Sequence, residues 1–297
     1  MKERVTEVIQ LEGFQVEFTI VGEGEPIFVL HGGHSNCNEE FGYDFLIEQG
    51  YSLITPSRPG YGKSSKEMGE SISVACDFYV KLLNHLNLDK IHVLAISAGG
   101  PSGIYFASKY PHFVKTLILQ SAVTKEWLTP KDIEYKVASK IFHPKAEKVT
   151  WKLISFMNNK FPSFIFKQMF PSFSSLNYKE AKEKIAEWDT EEIRKMNNRQ
   201  RSGYGFLIDL QQVNDLTVDD LESVACPTLI MHSKFDGSVP LDHAYFAHES
   251  ISSSELCLLD TWGHLIWLGT SSYKTNEAAV KFLNKYKIEK THFTKVK

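Results

Sequence analysis

Three residue types in this sequence could together carry acyl-transfer chemistry: a serine among small neighbours, a histidine after an apolar run, and an aspartate in a turn. Ser97 lies in Ala95-Ile96-Ser97-Ala98-Gly99-Gly100-Pro101. A serine hydroxyl is a poor nucleophile until a base takes its proton. Histidine as a residue type titrates near neutrality, so His264, in Gly263-His264-Leu265-Ile266-Trp267, could accept that proton and return it to a leaving group. Asp236, in Phe235-Asp236-Gly237, could hold the imidazole in one tautomer and stabilise its charged form. Each residue also has a plain structural reading. Small-x-Ser-x-small arises by chance, Asp-Gly is a favoured turn dipeptide, and a histidine can be a satisfied, partly buried side chain. Joint placement has to decide between the two readings.

That placement depends on the surrounding elements. The apolar run from Ile91 to Ile96 reads as a buried strand, and a helical pattern follows from Ala98 to about Tyr110, with Pro101 in its first turn. The turn between them must be tight to project a hydroxyl beyond a sheet. Residues two before and two after the serine must then be tiny, and Ala95 and Gly99 meet that condition. The helix start also aims unpaired N–H groups at the place where an oxyanion would form. Asp236 follows the strand 226–232, and His264 follows the strand 255–259. All three candidates therefore fall at C-terminal strand ends, the edge where parallel α/β sheets bind ligands.

The rest of the chain supplies the scaffold. Residues 5–22 read as a hairpin turning at Glu12-Gly13. Pro26 to Leu30 is an apolar strand running into His31-Gly32-Gly33-His34, whose glycines allow backbone N–H groups to approach a ligand. Gly22-Glu23-Gly24-Glu25-Pro26 is only superficially like a phosphate loop, because no strand precedes a helix there. A helical stretch over 38–49, a strand over 51–55, an amphipathic helix over 73–86 and a strand over 114–119 continue an alternation that implies a largely parallel sheet covered on both faces. The alternation breaks over 123–215, which is mostly helical in pattern, interrupted by prolines, and dense in aromatics. Most of those aromatics are expected to be core and the rest to line an apolar pocket over Ser97. The Lys- and Glu-rich run 179–192 reads as a solvated helix face. A helix to about Tyr286 closes the chain, and the basic tail 287–297 is expected to fray.

These segments resemble the α/β-hydrolase superfamily over nearly the whole chain outside 123–215. The resemblance rests on Leu30-His31-Gly32-Gly33, Arg58-Pro59-Gly60-Tyr61-Gly62-Lys63-Ser64, the Ser97 turn, Pro227 to Asp236 and Gly263 to Trp267, and on the chain order Ser, Asp, His. It implies a mostly parallel eight-stranded sheet with helices on both faces. The core would be 1–122 and 216–297, with 123–215 inserted as a helical cap after the sixth strand. It further implies Ser97, Asp236 and His264 as a catalytic triad, and the N–H groups of Gly33 and Ala98 as the oxyanion hole, with His34 the neighbouring alternative to Gly33. Two positions depart from the family pattern: Ala95 replaces the first elbow glycine, and Ser233 replaces a glycine often found before the acid. Arg58 and Lys63 read as part of a structural loop rather than a phosphate site. His232, at a strand end beside Asp236, looks structural, His92 sits in the sheet, and Gln120-Ser121-Ala122 offers no rival carboxylate.

Composition bounds the function. The 297 residues are 42% hydrophobic and 23% charged, with a net charge of −3. That balance does not suggest nucleic-acid binding. The N-terminus lacks an apolar signal region, and no stretch has the length of a membrane span. Four widely spaced cysteines, Cys37, Cys76, Cys226 and Cys257, fit reduced thiols in a cytoplasmic protein. The expectation is a serine hydrolase cleaving a small, largely apolar carboxylic ester, using neither metal nor organic cofactor. Proline-iminopeptidase-like amide hydrolysis, carbon–carbon bond hydrolysis and acyl transfer use the same triad. A non-catalytic small-molecule-binding protein on this scaffold is the reading from a different class.

Overall fold

A computed structural model of the chain describes residues 4–287. The expected fraying of 287–297 therefore falls almost wholly outside the described residues, as do the first three residues of the N-terminus. Eight strands form one sheet in the order β1-β2-β4-β3-β5-β6-β7-β8. They are β1 (Val5–Leu11), β2 (Phe14–Gly22), β3 (Glu25–Leu30), β4 (Tyr51–Pro56), β5 (Ile91–Ile96), β6 (Val114–Gln120), β7 (Thr228–Ser233) and β8 (Ser254–Leu259). The pairs β1/β2 and β2/β4 are antiparallel, and all the others are parallel. Every residue of β5 and β7 is buried, which is why neither shows the apolar–polar alternation of a strand with one solvated face.

Helices cover both faces. α1 (Asp44–Glu48) lies on one face. α2 (Ile72–His85) and α3 (Gly100–Lys109) lie on the other. The inserted region, between β6 and β7, holds α4 (Ile133–Ile141), α5 (Glu147–Lys160), α6 (Pro162–Met169), α7 (Asp189–Arg199) and α8 (Gly205–Gln212). After it come α9 (Val218–Glu222), α10 (Asp242–Ser250) and α11 (Tyr273–Lys285). α2, α3, α9 and α10 share one core with the sheet, while α1 and α11 share the other. A third cluster joins Phe166, Phe170, Ile193 and Met196 of the insert to Trp262, Leu265 and Leu268, so the insert packs on the loop that follows β8.

The structure departs from the sequence expectations in three places. The helix expected over 38–49 is confined to α1, because Phe41 (φ 43°) and Gly42 (φ 67°) take left-handed backbone conformations that a right-handed helix excludes. Residues 179–188 form turns rather than a helix face. Thr270 N–H donates to the Lys184 carbonyl there, and the Asp189 carboxylate accepts from Ala186 N–H. The insert's aromatics are also less buried than expected. Phe156, Phe161, Phe164, Trp188 and Tyr204 are exposed, and Phe166 and Phe170 belong to its core.

Candidate active site

Ser97 stands directly after β5 with φ of 49°. A non-glycine residue held in this left-handed region is strained and is kept there by its surroundings. The reason for small neighbours is visible at each position. A Cβ on Gly99 would lie 2.3 Å from the Leu30 carbonyl oxygen, and one on Gly100 would lie 2.2 Å from that of Val123. Ala95 is accommodated by the next turn of α3, where a Cβ on Gly103 would sit 2.4 Å from the Ala95 Cβ. The glycine that the elbow lacks on its strand is thus supplied from the helix.

Ser97, His264 and Asp236 form a continuous hydrogen-bonded line. Ser97 Oγ is 2.9 Å from His264 Nε2, and His264 Nδ1 is 2.7 Å from Asp236 Oδ2. The other carboxylate oxygen, Oδ1, accepts from the N–H groups of Ser238 (2.8 Å) and Val239 (2.9 Å). Burial pushes the Asp236 carboxyl up, but the charge of His264 and hydrogen bonds from His232 and His264 outweigh it, leaving the group well below the usual carboxylate range. His232 is buried, with Nε2 3.2 Å from Asp236 Oδ2 and 2.9 Å from the Val239 carbonyl. It braces the acid.

The loops carrying Asp236 and His264 are fixed by hydrogen bonds that sequence reasoning does not anticipate, although Ser233 stands out there as a departure from the family pattern. The Phe173 carbonyl, from the insert, accepts the N–H groups of both Gly237 and His264. Ser121 Oγ donates to the His264 carbonyl at 2.8 Å. Ser233 Oγ donates to the Thr261 carbonyl and accepts the Phe235 N–H, so it ties the acid loop to the base loop.

Beside Ser97, Gly33 lies close to Ala98: a Cβ on Gly33 would meet the Ala98 Cβ at 3.8 Å. The Gly33 N–H has no acceptor among the described residues. The His34 N–H instead points to Tyr61 Oη at 3.3 Å, on a backbone with φ of 59°. The His34 ring stacks on Phe206, with centroids 4.3 Å apart, and packs against Phe142. Its Nδ1 is 2.8 Å from Ser202 Oγ, which also accepts Trp151 Nε1–H. Ser202 is fully buried, and His34 Nδ1 is the one acceptor in reach of its hydroxyl proton among the described residues. Satisfying that proton puts the ring hydrogen of a neutral His34 on Nε2. Burial pushes the His34 ring down to about 3, so it is neutral at physiological pH.

These groups border a cavity of about 910 Å³ whose lining includes Ser97, His264, Gly33, His34, Trp127, Phe142, Trp151, Phe173, Phe206 and Trp267, with Lys125, Glu126 and Asp242 among its charged residues. The expected structural role of Arg58 takes a specific form. The guanidinium is buried, donates from Nε to the His31 carbonyl (2.7 Å) and forms a fork with both oxygens of Asp209 in α8, the Nη2 arm at 2.8 Å. It therefore ties the insert to the loop that carries Gly33. The Lys63 backbone N–H donates to Glu17.

Residues 25–269 match the family model described as alpha/beta hydrolase fold. The chain is 58% identical over 283 residues to the uncharacterized hydrolase YcgS of Bacillus subtilis (strain 168), covering 95% of this chain and 99% of that one. Among solved structures, it is similar to an alpha/beta hydrolase fold protein from Nakamurella multipartita (TM-score 0.79, 23% identity, covering 94% of this chain and 99% of that one). It is also similar to the esterase EaEST from Exiguobacterium antarcticum (TM-score 0.67, 22% identity, covering 94% and 100%). Eight strands in this order, a helical insert after the sixth and a family match across most of the length lead to one conclusion: this chain belongs to the α/β-hydrolase fold family.

Proposed function

We propose that the protein is a serine hydrolase that cleaves a small, largely apolar carboxylic ester through an acyl-enzyme. Ser97 Oγ attacks the carbonyl carbon while His264 Nε2 takes its proton. Asp236 orients the imidazole and stabilises the imidazolium. The N–H groups of Gly33 and Ala98 receive the oxyanion. Collapse of the tetrahedral intermediate breaks the ester C–O bond, and His264 returns the proton to the departing alcohol. Water, deprotonated by His264, then releases the carboxylic acid.

The observation that carries this reading is the unbroken line from Ser97 Oγ through His264 to Asp236 at 2.9 and 2.7 Å, opening on an aromatic-lined cavity. The size of that cavity and its lining favour an apolar acyl or alcohol group. Intact-mass labelling with a fluorophosphonate probe tests it. Wild type should gain one adduct, and Ser97→Ala should gain none. An adduct retained on Ser97→Ala, or none on folded wild type, would sink the proposal. p-Nitrophenyl esters of increasing chain length, run beside prolyl amides, then separate ester from amide hydrolysis.

A further inference from the structure

Helices α4–α6 turn apolar residues outward. Ile133, Val137 and Ile141 recur every four residues in α4, which sets them on one face, and they are 72%, 48% and 41% exposed. In α5 the buried face holds Trp151 with two polar residues, and apolar residues share the exposed face with lysines. Val149, Leu153 and Phe156 are 71%, 61% and 60% exposed, while the polar Glu147 and Asn158 are buried. Phe161 and Phe164, at the junction with α6 and within it, are exposed too. Single apolar residues on a surface are ordinary, but eight within 32 residues of chain form a pattern.

The same stretch is strongly basic. Residues 131–167 carry eight lysines against Asp132, Glu134 and Glu147, a net charge of +5 in a chain whose total is −3. All eight lysines are exposed. Exposed apolar side chains interleaved with lysines suit an anionic lipid surface: the apolar groups enter the headgroup boundary, and the lysines pair with phosphates. A second copy of the chain would set +5 against +5 across a symmetric interface, which like-charge repulsion disfavours. Among the described residues no helix is long and apolar enough to cross a membrane, so attachment would be peripheral.

We propose that the outer face of α4–α6 docks on anionic bilayers. Phe142, between α4 and α5, and Trp151 of α5 line the cavity from within, so docking places the roof of the cavity against the lipid. The docking itself does not depend on the ester-hydrolase reading.

Vesicle flotation with the full chain tests the proposal. Wild type should float with phosphatidylcholine vesicles containing phosphatidylglycerol, far less with phosphatidylcholine alone, and progressively less as salt rises. Lys148→Gln and Lys152→Gln should each weaken binding about fivefold, the equivalent of about 1 kcal/mol per lysine near the surface. Leu153→Glu with Phe156→Glu should abolish flotation, with folding checked by a circular-dichroism melt. The lysine variants provide a second arm should the apolar pair fail to fold. Three results would overturn the proposal: no flotation with either vesicle, wild-type binding by the glutamate variant, or a sedimenting dimer that Leu153→Glu converts to monomer.

Discussion

The backbone N–H of His264 donates to the carbonyl of Phe173 at 2.8 Å, and the same oxygen accepts the Gly237 N–H at 3.0 Å. One carbonyl from the insert therefore sets the heights of His264 and of the loop just past Asp236. A Cβ on Gly263 would come within 2.4 Å of that oxygen. Gly263→Ala should slow fluorophosphonate labelling on the order of 100-fold by displacing the imidazole, since misplacement by about 1 Å carries that penalty. Phe173→Ala keeps the carbonyl and should be the milder variant. Stopped-time labelling of the two separates a backbone effect from a side-chain one.

The Ala95–Gly103 contact predicts a rescue. Gly103→Ala overpacks the strand–helix junction and should destabilise by about 1–3 kcal/mol, despite the better helix propensity of alanine. Ala95→Gly combined with Gly103→Ala moves the methyl from strand to helix and should recover most of that loss. Urea unfolding of the two single variants and the double completes the cycle.

Arg58 and Asp209 form a buried pair between core and insert, and Tyr61 Oη donates to the same carboxylate at 2.6 Å. Asp209→Ala would leave a guanidinium buried without its partner, at about 3–5 kcal/mol. Replacing both, as Arg58→Met with Asp209→Leu, removes the charges together and should cost less than the single change. Denaturant midpoints distinguish the outcomes.

Stability should fall below neutral pH. Burial pushes His34 down to about 3 and His92 and His243 to about 4, with Lys115 adding to the effect at His92 and Lys125 and His232 at His243. The unfolded chain takes up protons near the ordinary value of about 6.5, whereas the folded chain does not. The histidines' contribution is complete above that value and is lost as pH drops toward 4, with a slope of up to about 1.4 kcal/mol per pH unit for each fully buried ring. Asp236, held low in the fold, adds its own loss only below about 3.9, where unfolded aspartate begins to protonate. Melting temperatures should therefore be flat from pH 7 to 8 and decline from pH 6.5 to 5. A flat profile through pH 5 would contradict the buried, neutral state of these rings.

Much of this architecture is legible in the sequence because the central strands are buried on both faces and leave apolar stretches without alternation, as in 93–96 and 229–231. The juxtaposition of Ser97, Asp236 and His264 is legible for a related reason: each follows a strand, Ser97 and Asp236 after the buried β5 and β7 and His264 after the partly buried edge strand β8, so strand ends bring them to one edge. What stays hidden acts through backbone or through distance. The Phe173 carbonyl carries no side-chain signature. Asp209 finds Arg58 from 151 positions away, and the left-handed backbone at Phe41 breaks a pattern that periodicity alone extends. The insert misleads for a different cause: its amphipathic helices present apolar faces outward, so aromatic density overstates its core.

The Ser97–His264 hydrogen bond joins positions 167 residues apart, and β7 and β8, whose following loops bring Asp236 and His264, lie at one end of the sheet order. Synthesis runs in that same direction. With chains growing at about 5–20 residues per second, the serine leaves the ribosome on the order of 10 s before its partner histidine exists. Throughout that interval the nascent chain holds a hydroxyl with no base beside it. On the proposed role of Ser97 as nucleophile, its covalent labelling would therefore time the moment when the last strand takes its place.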